Sequence, residues 1–295
     1  MAGSAVIGVA HPDEAHVTDK TWLVVNGASG SNSEASVASL SEALAQVGRR
    51  PDRVLDLQHD GPPAPGDLDG AGVGLLVVFG GDGSLNAVIC ALEGWDGAIL
   101  ALPGGTANLL AKSLHGDAAA EEIIARLDRL APQRHHAIRC GAGTGLIEVL
   151  AGPGATWSDV REGLREGDIG QVAGTAIDAA VQSAAGPMVH AVDPKIGRDE
   201  GYSGLRFTPA GDGMAVSGYG AQRLADYVLQ GIALLRRDFR EGPHDELGHH
   251  VRVVCRSIDG SPIELMIDGE RATGGAEETF SLAPLAVNLL AGDHG

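Results

Sequence analysis

From Leu75 to Phe79 five apolar residues follow one another without a polar break, and Gly80-Gly81-Asp82-Gly83-Ser84 closes the run. An apolar run of this kind predicts a strand buried on both faces, as in a parallel sheet, and the glycines predict a tight turn that opens a helix. The pattern recurs. Residues 22–26 predict a first strand, leading into the small-residue turn Gly27-Ala28-Ser29-Gly30, and residues 98–101 predict another, leading into Pro103-Gly104-Gly105-Thr106-Ala107-Asn108. Val37, Leu40, Leu44 and Val47 recur at helical spacing, with Gly48 as the stop. Residues 53–57 predict a second strand and residues 84–92 a short helix, while the Pro-, Gly- and Asp-rich residues 59–74 read as a solvated loop. Repetition of strand, turn and helix implies a parallel sheet with right-handed crossovers. Its three turns, at residues 26–30, 80–84 and 103–108, then share one sheet edge.

Further along, residues 121–130 predict an amphipathic helix ended by Pro132. From His135 the texture changes to shorter segments with alternating apolar and polar positions, which predicts a second, β-rich domain. Helical patterns interrupt it at residues 156–182, broken near Gly167, and at residues 222–235. Asp259-Gly260, between the strand patterns of residues 250–257 and 263–267, is a strong hairpin signal. The second arm runs into Asp268-Gly269-Glu270, so two more carboxylates stand at a strand end. Residues 279–290 predict closing strands, and no internal repeat is visible.

Composition narrows the partners. The 295 residues suffice for two modest domains. A formal net charge of -18 leaves no basic stripe to replace phosphate counterions, which argues against nucleic acid. Anionic membranes would repel the chain too, so membrane contact is expected to be transient, through an apolar rim or a few arginines. Cys90, Cys140 and Cys255 are scattered, without metal-ligand spacing, and are expected to be reduced thiols. The first twenty residues lack a signal-peptide pattern, and no stretch has the eighteen or so apolar residues of a membrane span. A cytoplasmic protein is expected, peripheral at the membrane at most.

Asp82 is the lone charge in the central turn. A carboxylate among anion-binding amides is badly placed unless a divalent cation or a transferable proton accompanies it, which points to magnesium and phosphoryl transfer. The alternative is a plain strand-to-helix turn in which Asp82 or Ser84 caps the helix. Other chemistries are excluded more firmly. No G-x-x-x-x-G-K-[S/T] or G-x-S-x-G occurs, and the lysines are only Lys20, Lys112 and Lys195. The pairs His135-His136 and His249-His250 would send their rings to opposite faces of a strand, unlike zinc ligands. Trp95 and Trp157 read as packing residues. Arg161 and Arg165, one helical turn apart, form either a solvated face paired with Glu162 and Glu166 or a triphosphate clamp.

Taken in order, these motifs resemble a family. Gly80-Gly81-Asp82-Gly83-Ser84 resembles the GGDGT signature of the diacylglycerol kinase catalytic domain superfamily, which includes sphingosine kinases and, more distantly, NAD kinases. Asn26-Gly27-Ala28-Ser29-Gly30 resembles its first-strand N-P-x-S-G, and Pro103-Gly104-Gly105-Thr106-Ala107-Asn108 its P-x-G-T-x-N. Asp268-Gly269-Glu270 resembles its late D-G-E, residues 282–290 its terminal strand, and Gly152-Pro153-Gly154 with Arg161, Glu162 and Arg165 a less specific middle segment. The resemblance runs from about residue 22 to residue 290. Ser84 replaces a Thr, Gly27 a Pro, and Leu109 stands where many members carry Asp, which bears on the metal arrangement and the acceptor rather than the fold.

The resemblance implies an N-terminal three-layer α/β nucleotide domain with a mostly parallel sheet and a C-terminal β-sandwich with helical insertions. The last strand would return to the first domain, which divides the chain into residues 20–132 with 284–295 and residues 133–283, after an extension of residues 1–19. ATP would lie in the cleft, held by Asn26, Ser29, Gly30, Gly80, Gly81, Gly83, Ser84, Gly104, Gly105, Thr106, Arg165 and Asp268. Magnesium would be met by Asp82 and Asp268, and Asp82 and Glu270 would be catalytic, Glu270 as general base or metal ligand. The activity implied is ATP-dependent transfer of the γ-phosphate to a hydroxyl of a diacylglycerol-like or sphingoid-like lipid. A kinase for a soluble alcohol or NAD, or a catalytically silent nucleotide- or lipid-binding member, is the alternative. Partners are then ATP and the acceptor, with a homodimer compatible.

Overall fold

The computed structural model describes residues 20–26, 34–152, 187–220 and 244–292. Expectations concerning residues 1–19, Ser29, Gly30, Arg161, Arg165 and the helical patterns at 156–182 and 222–235 fall outside the described residues. The first part of the chain runs β1 (Lys20–Val25), α1 (Glu34–Gln46), β2 (Arg53–Asp56), α2 (Leu57–Asp60), α3 (Pro65–Ala71), β3 (Val73–Gly80), α4 (Asp82–Ala91), β4 (Ala98–Pro103), α5 (Leu109–His115), α6 (Ala120–Ile124) and β5 (Ala131–Gln133). Twelve strands follow among the described residues: β6 (His136–Cys140), β7 (Gly143–Gly145), β8 (Val149–Ala151), β9 (Val189–Asp193), β10 (Lys195–Ile196), β11 (Gly204–Ala210), β12 (Gly213–Tyr219), β13 (Asp245–His250), β14 (Arg252–Ser257), β15 (Glu264–Ile267), β16 (Glu270–Thr273) and β17 (Glu277–Pro284). The chain then returns to the first sheet as β18 (Asn288–Ala291).

That sheet has the order β2-β1-β3-β4-β18-β5, parallel except where β5 meets β18. Alternate residues of β3 serve two separate cores, which is why its sequence shows no polar positions. Leu76 and Val78 pack with Leu85, Val88 and Ile89 of α4 and with Leu110 and Leu114 of α5. Leu75, Val77 and Phe79 pack with Leu40 and Leu44 of α1 and with Ile123 and Ile124 of α6. Helices on both faces make this a three-layer α/β unit.

The remaining strands form two antiparallel sheets, β10-β9-β14-β17-β6-β7 and β13-β12-β11-β8-β15-β16. Their inner faces meet in one core, where Phe207 of β11 stacks on Phe280 of β17 with ring centroids 4.3 Å apart. Leu146, between β7 and β8, instead joins the core of the first unit. The loop carrying it is therefore buried against α4 and α5 rather than within the sandwich.

Three local expectations change. Residues 59–74 are not simply a loop, since α3 lies within them: Pro65 fills its first turn, Asp67 accepts from the Ala64 amide at 3.2 Å, and Gly72 ends it at φ 74°. One fully buried residue, Leu68, anchors it. Pro132 does not end a helix but sits in the edge strand β5, opposite Leu290. Asp259-Gly260 turns the chain without making a hairpin, because β14 pairs with β9 and β17 while β15 pairs with β8 and β16. The Asp259 carboxylate accepts from the amide and hydroxyl of Ser261 and the hydroxyl of Ser257, so the turn is closed by side chains as the chain passes between sheets. Among the described residues, no helix is long and apolar enough to cross a membrane.

Candidate active site

Parallel order places the ends of β1, β3 and β4 side by side, so the described parts of the three turns do share one sheet edge. Asn26 Nδ2, at the end of β1, donates to Ser84 Oγ across 2.8 Å. Between the other two turns the contact is backbone on backbone: the Gly104 amide donates to Gly80 O at 2.9 Å. A Cβ on Gly104 would fall 2.7 Å from Gly80 N, and one on Gly105 would fall 2.5 Å from Gly81 Cα. These glycines are thus required by the approach of one turn to the other. Asn108 holds the second turn closed, accepting from the Gly105 amide at 2.7 Å and donating to Gly105 O at 2.8 Å from a left-handed backbone at φ 52°.

Helix α4 begins without a cap. Gly81 occupies its N-cap position and no side chain accepts from its first amides. The N-H groups of Asp82, Gly83 and Ser84 therefore open toward the turn, where the helix dipole favours an anion. Asp82 stands beside them but caps a different helix: its Oδ1 accepts from the Leu110 amide, in the first turn of α5, at 3.0 Å. The expected cap of α4 is not formed: Asp82 caps α5 instead, and its Oδ2 has no partner among the described residues. Thr106 is exposed on the rim of the second turn, and Leu109 begins α5 half-buried.

The second unit reaches this edge through the turn between β15 and β16. Ile267 pairs with Glu270, and Asp268 and Gly269 between them have φ 49° and 95°, the two-residue hairpin geometry that Asp-Gly favours. Glu270 is exposed, and its Oε1 would lie 2.8 Å from a Cβ added to Gly83. Only glycine at position 83 leaves the carboxylate that space. Asp268 faces inward. Its Oδ1 accepts from the amides of Ile147 and Glu148 at 2.9 and 3.0 Å, and its Oδ2 from the Leu146 amide at 2.7 Å and Asn86 Nδ2 at 2.6 Å. Burial pushes its carboxyl above the ordinary range, against the pull of those donors. The structure gives both of its oxygens to the protein, so a role toward metal or nucleotide would require breaking these bonds.

Sequence reading missed Asn86. It lies three residues after Gly83, on the same face of α4, and donates to Thr144 O at 2.8 Å as well as to Asp268. Its partners are remote in sequence, so no local spacing announces it. The only available signal was its place in a helix that follows the turn.

The fit to a nucleotide with magnesium rests on two features. The uncapped N-H groups at α4 suit phosphate oxygens, and the glycines of the turn after β4, whose own amides are spent on Gly80 O and Asn108 Oδ1, let that turn lie close against them. Among the described residues no group of three or more His, Cys, Asp or Glu side chains is gathered for a metal ion. Magnesium bound by one or two carboxylates, waters and phosphates does not need such a group.

Residues 20–142 match the model of the diacylglycerol kinase catalytic domain. A search of curated proteins finds no match of comparable significance. Among solved structures, a diacylglycerol kinase from Bacillus anthracis str. Sterne has 16% sequence identity and a TM-score of 0.61, with 93% of this chain and 97% of that chain covered. A candidate diacylglycerol kinase from the same strain has 15% identity and a TM-score of 0.60, covering 93% and 98%. These likenesses establish the two-unit fold over nearly the whole of both chains.

Proposed function

We propose that the protein is an ATP-dependent lipid kinase that transfers the γ-phosphate to a hydroxyl of a diacylglycerol-like or sphingoid-like acceptor. The observation that carries this reading is the meeting of Glu270 with Gly83, which brings a free carboxylate from the second unit to a turn built for phosphates. Bound there, ATP with magnesium supplies the transferable phosphoryl group and neutralises its charge. The amides at the start of α4 hold the phosphate oxygens, and the glycines at 104 and 105 leave room beside them. Asp82, through Oδ2, would hold the metal, and Glu270 takes the proton of the acceptor hydroxyl as general base. Residues 20–132 with 284–295 form the nucleotide unit in this reading, and residues 133–283 bring the acceptor. The experiment is incubation with labelled ATP and magnesium against diacylglycerol, monoacylglycerol, sphingosine, phosphatidylglycerol and NAD. Label on a lipid hydroxyl supports the reading, label on NAD replaces it with the soluble-acceptor alternative, and label on none overturns it.

A further inference from the structure

Gly83, Asn86, Cys90 and Glu93 follow one another at intervals of three, four and three, so they form one stripe along α4 and just beyond its end. Every member of the stripe engages the second unit or a neighbour that does. Gly83 leaves space for Glu270, and Asn86 bonds Thr144 O and Asp268. Cys90 donates its thiol hydrogen to Asn86 Oδ1 at 3.5 Å, and Glu93 pairs with Arg139 of β6, which also donates to Thr144 Oγ1 at 2.7 Å. The Asn86 amide group is the centre of this contact. Its nitrogen spends two hydrogens on two elements of the second unit, the β7 strand and the β15–β16 turn.

Further bonds of the turn run to the loop between β7 and β8. Asp268 ties to the amides of Leu146, Ile147 and Glu148, and its own amide donates to Glu148 O at 3.0 Å. Those bonds tie the turn to the loop of residues 146–148, whose Leu146 packs in the core of the first unit, but none of them comes from α4. Asn86 supplies the bond from α4, and that bond to Asp268 lies two residues from Glu270 in the turn and three from Gly83 on the helix. Bonds to a buried carboxylate are among the stronger ones, and a side chain held by such a bond keeps its neighbours within a narrow range.

From this we infer that Asn86 is a positioning residue: it latches the β15–β16 turn onto α4 and so holds Glu270 over the phosphate-binding turn. The inference rests on the reading of Glu270 as the base, yet the latch has a readout of its own. Asn86→Ala removes both donated bonds without touching the glycine turns, so affinity for ATP, measured by calorimetry, should stay within about twofold. Amide hydrogen exchange across residues 264–273 should accelerate by roughly tenfold or more, since opening of the turn loses about one strong bond. Turnover should fall by one to two powers of ten with little change in KM for ATP, the signature of a misplaced reacting group.

A double-mutant comparison separates positioning from general loss of structure. If Asn86 acts through Glu270, adding Asn86→Ala to Glu270→Gln should lower turnover by less than twofold further, whereas independent effects would multiply. Multiplied effects, or unchanged exchange across residues 264–273, would overturn the latch. Should the alanine variant not fold, Asn86→Ser, whose hydroxyl is too short to span both acceptors, carries the same comparison. Absence of phosphoryl transfer by the parent protein would overturn the proposed function alone, because the exchange result is read without any acceptor.

Discussion

Gly83 of α4 and Glu270 of β16 occupy one another's space: a Cβ on Gly83 would stand 2.8 Å from Glu270 Oε1, with no other atom of the described residues as near. The pressure falls on the free end of a flexible, exposed side chain, so the fold can yield to it by moving the carboxylate. Yielding would carry Glu270 away from the turn.

Gly83→Ala should therefore separate stability from activity. Alanine inside a helix is favoured over glycine by up to about 1 kcal/mol, so the variant should melt no lower than the parent. Turnover should nevertheless drop roughly ten- to a hundredfold, as expected for a displaced catalytic group. Thermal unfolding and initial rates on the same preparation check both halves. Parental turnover would mean that the position of Glu270 is unimportant.

Asp82 invites a pair of substitutions, because it serves α5 as well as the turn. Asp82→Asn keeps an oxygen for the Leu110 amide and should leave stability almost unchanged while lowering turnover by roughly two powers of ten. Asp82→Ala should lose the same activity and, in addition, about 1 kcal/mol of stability with the cap. Equal stability of the two variants in urea titration would remove the capping role.

The glycine turns are not equivalent. A Cβ on Gly105 would meet Gly81 Cα at 2.5 Å, backbone that cannot step aside, whereas one on Gly81 would lie 3.4 Å from Gly105 Cα. Gly105→Ala should cost about 1–3 kcal/mol and weaken ATP binding as the turns separate. Gly81→Ala should be tolerated in stability, and only a larger side chain such as valine should block the nucleotide there. Calorimetric titration with ATP of both alanine variants tests the contrast.

The parts of this molecule legible in its sequence are those governed by periodicity or by glycine. β3 could be placed because both of its faces are covered, which leaves an unmistakable apolar run, and the turns after β3 and β4 because their closely packed backbones require glycine. α3 was hidden because seven residues with a single buried apolar side chain, Leu68, carry no periodic signal. Asp259-Gly260 promised a hairpin and makes none, whereas Asp268-Gly269, read only for its carboxylates, closes one. A turn signal describes four residues and says nothing of which sheet the next strand will join. Asp268 was placed beside the metal by the resemblance of Asp268-Gly269-Glu270 to the family's late D-G-E, and its burial under three amides and Asn86 is a long-range fact that no spacing encodes.

Asp268 also sets a pH dependence. Its folded pKa lies above the ordinary carboxylate value, with burial the largest cause, so the folded protein binds this proton more tightly than the unfolded chain. The stability this group contributes is then fully present below its unfolded pKa, near 3.8, and is lost as pH rises through the raised folded value. Asp268→Asn has no proton to bind and lacks this slope. The difference in unfolding free energy between the parent and the variant, followed from pH 7 downward, should shift in the parent's favour until about pH 3.8 and level off below it. A pH-independent difference would show that the donors offset burial, and a shift in the variant's favour that they outweigh it.

The sharpest prediction concerns Glu270, for which a base and a magnesium ligand remain the two chemical roles open to a carboxylate at this place. The geometry favours the base. Asp82 already lies in the turn where phosphates and their metal are expected, whereas Glu270 enters from the second unit, exposed and without an ion-pair partner among the described residues. Asp268, the neighbour that might have shared a metal with it, is turned inward and spent on amides. Glu270→Gln preserves size and the neutral hydrogen-bonding capacity but cannot accept the hydroxyl proton, so turnover should fall by about two to four powers of ten at saturating magnesium. More magnesium should restore nothing, and the concentration for half activity should match the parent's. Recovery of the variant's rate with excess magnesium would instead assign Glu270 to the metal, and a parental rate at every magnesium concentration would remove it from the chemistry.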